Sequence, residues 1–252
     1  MLKIIISPAK KMINDPDSLP CTGMPAFMDK TEKLKNILQG KTYAELKKLW
    51  ACNDSIAELN YERLENMDLN RSITPAILAY DGIAFKYMAP AVFDNNQFDY
   101  IQNHLFILSG FYGAVRPFDG VVPYRLEMQA KLKTDSFKNL YDYWGSDIYD
   151  YVTADCDTVV NLASEEYSKT ISKYLSEGVK LITITFADMV NGKLVEKGTK
   201  CKMARGEMVR FMAENSIEDI EKIKAFSRLN YEFSPDHSTD TNIVFIQKKA
   251  VK

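Results

Sequence analysis

The sequence predicts an α+β protein: one compact domain spanning residues 1–252, with a mixed β-sheet surrounded by helices in an unusual order. Three observations lead there. Short runs rich in apolar and β-branched residues recur at Leu2–Ile6, 158–163, 180–187 and Asn242–Gln247, each of strand length. Helical patterns of unequal length separate them, without the regular strand–helix alternation of a doubly wound fold. The composition, 46% hydrophobic and 26% charged, suits a chain that buries one sizeable core, and no internal repeat divides it.

Taken in order, the run Leu2–Ile6 is ended by Ser7-Pro8, which predicts a buried strand followed by a loop carrying Lys10 and Lys11. A loop with Pro and Gly follows at 14–25. Leu34, Ile37 and Leu38 form an apolar stripe on a first helix, and Thr42-x-x-Glu45 and Ser55-x-x-Glu58 are capping-box signatures for the next two. The stretch 75–90 is mostly apolar with one turn signal at Asp81-Gly82, and 93–108 reads as helix. A further helix is expected over 135–151, with Phe137, Tyr141, Tyr143, Trp144 and Tyr149 as an aromatic stripe facing the core. Ser164 stands as N-cap of a helix over 165–175. Asn191-Gly192 predicts a hairpin, because a type I′ turn needs positive φ at two successive residues. A basic helix over 200–214 and a short one capped at Ser216-x-x-Asp219 precede the last strand.

The charge balance excludes a generally cationic surface. There are 32 basic and 34 acidic residues, a net charge of −2, so any site for a polyanion must be a local patch. No apolar run approaches the roughly 20 residues that cross a bilayer, and Met1 leads straight into the first strand without a signal peptide's charged start. A cytoplasmic, membrane-free protein is expected. Cys21, Cys52, Cys156 and Cys201 show no C-x-x-C pair, which argues for reduced thiols over a zinc knuckle or disulfide framework. His104 and His237 are the two histidines, too few and too far apart for a His-rich metal site. No metal and no cofactor is expected, and direct iron sequestration ranks lowest among the functional readings.

Three regions carry possible chemistry. In LSGFYGAVRPFDGVVPYRLEM, Gly110 and Gly113 bracket two aromatics after Ser109, so backbone amides there could approach a phosphate. That outline, helix, glycine hairpin and further segment, is helix-hairpin-helix-like, although Gly-x-x-Gly replaces the usual Gly-x-Gly, and a plain tight turn fits equally. Pro117, Asp119-Gly120 and Pro123 could return Arg125 beside Arg116, where a carboxylate such as Glu127 or a bound phosphate would stabilise the pair. In KCKMARGEMVRFMAEN, Lys202, Arg205, Gly206 and Arg210 share one arc of about 140° opposite an apolar face. Gly206 costs a helix about 1 kcal/mol relative to alanine, so something must approach it closely, a ligand or a neighbouring element. In NLASEEYSK, Asn161, Glu165 and Lys169 lie where a strand end meets a helix start, a common place for polar site residues.

These blocks, with ISPAKKM, resemble in order and spacing the YaaA family of bacterial peroxide-stress proteins, from Met1 nearly to the last strand. The resemblance implies a cytoplasmic protein that limits iron-driven DNA damage, an unusual single-domain α+β fold, a positively charged cleft and a helix-hairpin-helix-like element that binds DNA. It places the hairpin at 108–113 and cationic positions at Lys10, Arg116, Arg125, Lys202, Arg205 and Arg210. The stretch DGIAFKYM, 81–88, departs from the family's pattern, which is closer to Gly-Asp-Val-Tyr-x-Gly, and leaves no role assigned to a carboxylate there. The expected partner is DNA, double-stranded or branched, gripped by its backbone without sequence preference at Lys10, Lys11, Ser109, Gly110, Gly113, Arg116, Arg125, Lys202, Arg205, Gly206 and Arg210. The alternative is an enzyme whose arginines clamp a small phosphorylated or nucleotide-like substrate in the same cleft, with Glu127 or Glu165 as general base.

Overall fold

The computed structural model of the protein describes residues 1–248. An eight-stranded mixed sheet runs through the domain, built from β1 (Leu2–Ile6), β3 (Leu105–Ser109), β4 (Gly113–Val115), β6 (Thr158–Leu162), β7 (Lys180–Val190), β8 (Lys193–Val195), β9 (Tyr231–Phe233) and β10 (Asn242–Gln247). The spatial order is β4-β3-β1-β6-β7-β10-β9, with β8 hairpinned onto the far end of β7. The five strands β3-β1-β6-β7-β10 are parallel neighbours, while β4, β8 and β9 add antiparallel edges. A separate two-residue pair joins β2 (Thr74–Pro75) to β5 (Gly120–Val121).

Central parallel strands are covered on both faces, which is why β1 and β3 read as continuous apolar runs and every residue of both is buried. Lys3 is the exception in type. Its ammonium is buried but donates to the Asn103 carbonyl at 2.9 Å and pairs with Asp155 at 3.0 Å, so the charge is compensated. The helices that cover the sheet are α1 (Met28–Gln39), α2 (Tyr43–Trp50), α3 (Asp54–Glu65), α4 (Ala76–Ala79), α5 (Ile83–Met88), α6 (Asn95–His104), α7 (Leu140–Trp144), α8 (Asp147–Thr153), α9 (Glu165–Ser172), α10 (Gly198–Glu214) and α11 (Ile220–Ile223).

Thr42 and Glu45 form the expected capping box at α2, and Asn191-Gly192 has positive φ at both residues between β7 and β8, as a type I′ turn requires. Elsewhere the local signals yield to neighbours. Asn53, not Ser55, caps α3 by accepting from the Ile56 amide, and Asp219, not Ser216, caps α11. The helix expected over 135–151 is two helices, interrupted at Gly145, whose φ of +53° is left-handed. The helix expected over 93–108 stops at His104, and Leu105–Ser109 is a strand of the sheet. An unbroken Leu-Phe-Ile-Leu run suits a strand buried on both faces better than a helix that needs a polar side. The glycine-bracketed turn is therefore flanked by β3 and β4. It is strand-turn-strand rather than helix-hairpin-helix.

Candidate anion-binding site

Parallel strands leave a crevice at their carboxyl ends, where connecting loops diverge, and open α/β sheets place ligands there. Here β1 ends into Ser7 and β6 into Ser164, and the Ser7 hydroxyl joins the two loops by accepting from the Ser164 amide at 2.8 Å. Above them lies a cavity of about 410 Å³, within the range of small-molecule sites. Its wall contains Lys10 and Lys11 from the loop after β1, Arg125 and Glu127 from the long segment after β5, Asp81 before α5, Glu166 and Tyr167 from α9, and Lys202 and Arg205 from α10. Residues nearly 200 positions apart thus share one concavity.

The cations are not idle. Lys10 pairs with Glu127 at 2.6 Å, Arg125 with the other oxygen of Glu127 at 3.2 Å, Lys11 with Asp81 at 2.5 Å, and Arg205 with Glu196 at 3.7 Å. Lys202 is exposed and has no carboxylate partner among the described residues. Lys11 and Lys86 hold the Asp81 carboxyl below its usual range, chiefly through the Lys11 hydrogen bond. Burial pushes the Glu166 carboxyl the other way, upward, against the hydrogen bond it accepts from the Gln129 amide at 3.1 Å. The Nε–H groups of Arg125 and Arg205 are both buried and both lack an acceptor. Two such donors on one cavity wall are unusual, since a buried unpaired donor costs about 1–3 kcal/mol.

The remaining expected positions lie elsewhere. Arg116 donates to the Gln102 carbonyl at 2.7 Å and its guanidinium stacks 4.8 Å over the Phe106 ring; it lines no part of the cavity, so the turn does not return Arg125 beside it. Arg210 pairs with Glu214 at 2.7 Å, in a cluster with Arg228 and Glu207 more than a turn beyond Arg205. Ser109, Gly110 and Gly113 are wholly buried. The Phe111 and Tyr112 amides donate to the Ser109 hydroxyl at 3.1 and 2.9 Å, and that hydroxyl lies 2.6 Å from the Tyr124 hydroxyl. Those amides have partners inside the protein, which removes the physical basis for a phosphate there. Gly206 is explained by packing. A Cβ at that position would lie 2.0 Å from the Ala84 carbonyl oxygen, because α5 crosses directly over α10. Glu165 points to solvent, and its neighbour Glu166 lines the cavity instead.

Reading from sequence missed Asp81, Glu166 and Tyr167. The helix α9 starts at Glu165 as expected, so the one-residue shift from Glu165 to Glu166 comes from which side of it faces the cavity, which elements distant in sequence decide. No group of three or more His, Cys, Asp or Glu residues is arranged to hold a metal among the described residues. His104 is a core residue stacked on Tyr100, with Nδ1 2.7 Å from the Leu2 carbonyl. The thiols of Cys21, Cys156 and Cys201 are pushed up by burial. No helix of the described residues is long and apolar enough to cross a membrane.

Residues 2–237 match the family model described as peroxide stress protein YaaA. The chain belongs to the YaaA family. It is 56% identical over 251 residues to a UPF0246 protein of Desulfitobacterium hafniense, covering all of both chains. A UPF0246 protein of Agathobacter rectalis is 57% identical over 249 residues, covering 99% of this chain and all of the relative, and one of Pediococcus pentosaceus is 49% identical over 251 residues, with both chains fully covered. The YaaA domain and this chain therefore coincide nearly end to end, and the cavity belongs to the family's domain rather than to an appended module.

Proposed function

We propose that this YaaA-family protein is a cytoplasmic stress protein that binds DNA through its phosphates, without sequence preference, at the cavity over β1 and β6. One observation carries the reading: Lys10, Lys11, Arg125, Lys202 and Arg205, supplied by three distant parts of the chain, line a single concavity. Phosphate contacts position a protein on a duplex but carry no sequence information. In the free protein Glu127, Asp81 and Glu196 hold four of these cations, so binding exchanges carboxylates for phosphates, and the net gain per contact is modest. Contacts between these cations and phosphates release condensed counterions, which makes such binding salt-dependent.

The enzymatic alternative has a specific obstacle. One of its two named bases, Glu165, is exposed and lines no part of the cavity. Anisotropy titration of a short labelled duplex tests the proposal. With about five phosphate contacts, affinity falls some 10²- to 10³-fold between about 50 and 200 mM salt. Lys202→Ala lowers the slope of log K against log salt by about one. A slope near zero, or a Lys10→Ala plus Lys202→Ala variant that binds as the parent does, overturns the proposal.

A further inference from the structure

Beside the cavity just described, and sharing Arg125 and Glu127 with it, lies a larger one of about 670 Å³ between α2 and the irregular segment that follows Glu127. Lys41 and Lys48 reach it from one side, Lys131 and Lys133 from the other. Leu132 is buried, and Lys131 and Lys133 on either side of it are exposed. The contrast with the first cavity is electrostatic. There nearly every cation has a carboxylate; here none of the four lysines forms an ion pair among the described residues, and the acids on the wall are Glu45, which accepts from Thr42 and keeps its charge, and Glu127, already paired with Lys10 and Arg125. The lysines outnumber the acids left to balance them, and that surplus of positive charge favours an anion.

A second, independent feature marks the same wall. Trp50 is buried there and its indole N–H has no acceptor, whereas the other tryptophan, Trp144, donates to the Gly110 carbonyl at 3.1 Å. Indole is a donor only, so the missing partner is an acceptor. Leu49, Ala51, Ala130 and Leu132 supply an apolar floor between the charges. An apolar floor ringed by lysines suits a molecule that is both flat and polyanionic.

We propose that this second cavity binds a phosphorylated small molecule of the nucleotide class, its phosphates among Lys41, Lys48, Lys131 and Lys133 and its ring system over the apolar floor, with wall side chains shifting to bring an acceptor to Trp50. The site shares Arg125 and Glu127 with the proposed DNA site, but its four lysines and Trp50 are its own, so the two readings can be tested apart. Titration of the whole protein with ATP, followed by calorimetry and by tryptophan emission, tests it. Saturable binding is expected, competed by inorganic triphosphate and poorly by adenosine. Lys131→Gln plus Lys133→Gln weakens it by at least about tenfold, since each lost charged contact is worth several-fold. Trp50→Phe keeps the calorimetric signal, weakened several-fold, and abolishes the emission change. Lys10→Gln plus Lys202→Gln leaves ATP binding within about threefold while reducing duplex binding. The absence of heat and of an emission change at millimolar ATP overturns the inference. So does ATP binding that ignores the Lys131 and Lys133 changes, or a Trp50 signal produced by duplex DNA and not by ATP.

Discussion

Asp119 shows how one residue answers to two demands. It is buried, 6% exposed, and its carboxylate accepts from the Arg116 amide at 2.7 Å, fixing the turn between β4 and β5. Burial pushes its carboxyl up to about 6 from an ordinary 3.8, and the Arg116 hydrogen bond only partly opposes this. A raised value in the folded state means that the folded protein binds the proton more tightly than the unfolded chain. The resulting stability is fully present below about pH 4 and is lost as pH rises through about 6, a change of roughly 3 kcal/mol. Asp119→Asn keeps an acceptor for the amide and removes the ionisation. Urea unfolding at several pH values between 4 and 7 is therefore expected to show a steeper loss for the parent than for the variant; parallel curves would refute the burial argument. In sequence, Asp119-Gly120 is legible as a turn. That the aspartate is buried is not, because burial comes from residues 21–23 and 74–76 packing over it, joined by the bonds from Thr22 to Phe118 and from Ala76 to Asp119.

Between elements, the close crossing of α10 and α5 decides what Gly206 is for. Alanine at an exposed helical position would gain about 1 kcal/mol of helix propensity. Here the added methyl meets the backbone of Ala84 at 2.0 Å and that of Met88 at 3.0 Å, which no rotamer change relieves. Overpacking of this kind costs about 1–3 kcal/mol or more and exceeds the propensity gain. Gly206→Ala is expected to lower the thermal midpoint by several degrees, at about 2–4 °C per kcal/mol for a chain of this size. A higher midpoint would mean that the helices part freely. The glycine itself announces a close approach in the sequence, but the choice between ligand and helix needs the partner, and α5 lies more than a hundred residues away. The same distance hides β3: its pattern is compatible with helix until β1 is seen beside it, paired Ile4 to Leu105. Elements defined by contiguous signals, the Thr42 cap and the Asn191-Gly192 turn, needed no such partner.

For the molecule as a whole, the net charge of −2 gives no long-range attraction to a polyanion, so any affinity for DNA must come from local cations released from local acids. The strand runs and the mixed sheet were legible because strand length and apolar content are local properties; the parallel core was not, because its crossovers are long and uneven. The gathering of Lys10, Arg125 and Arg205 was legible as a cationic set with glycine or proline nearby, yet the acids that hold them, Asp81 and Glu196 especially, carry no sequence signal of that role. Those acids supply the sharpest test of the whole-molecule balance. Replacing Glu127 and Glu196 by glutamine removes two negative charges, taking the net charge from −2 to 0, and frees Lys10, Arg125 and Arg205 together. Side-chain shape is preserved, so the fold is expected to persist, with an unchanged circular dichroism spectrum as control. If phosphates compete with these carboxylates, duplex affinity at low salt rises by about three- to tenfold, as expected for cations released from partly exposed ion pairs, and the salt dependence stays at least as steep. Affinity that fails to rise in a folded variant would show that the cations were never limited by their acids, and the exchange of carboxylate for phosphate would have to be abandoned.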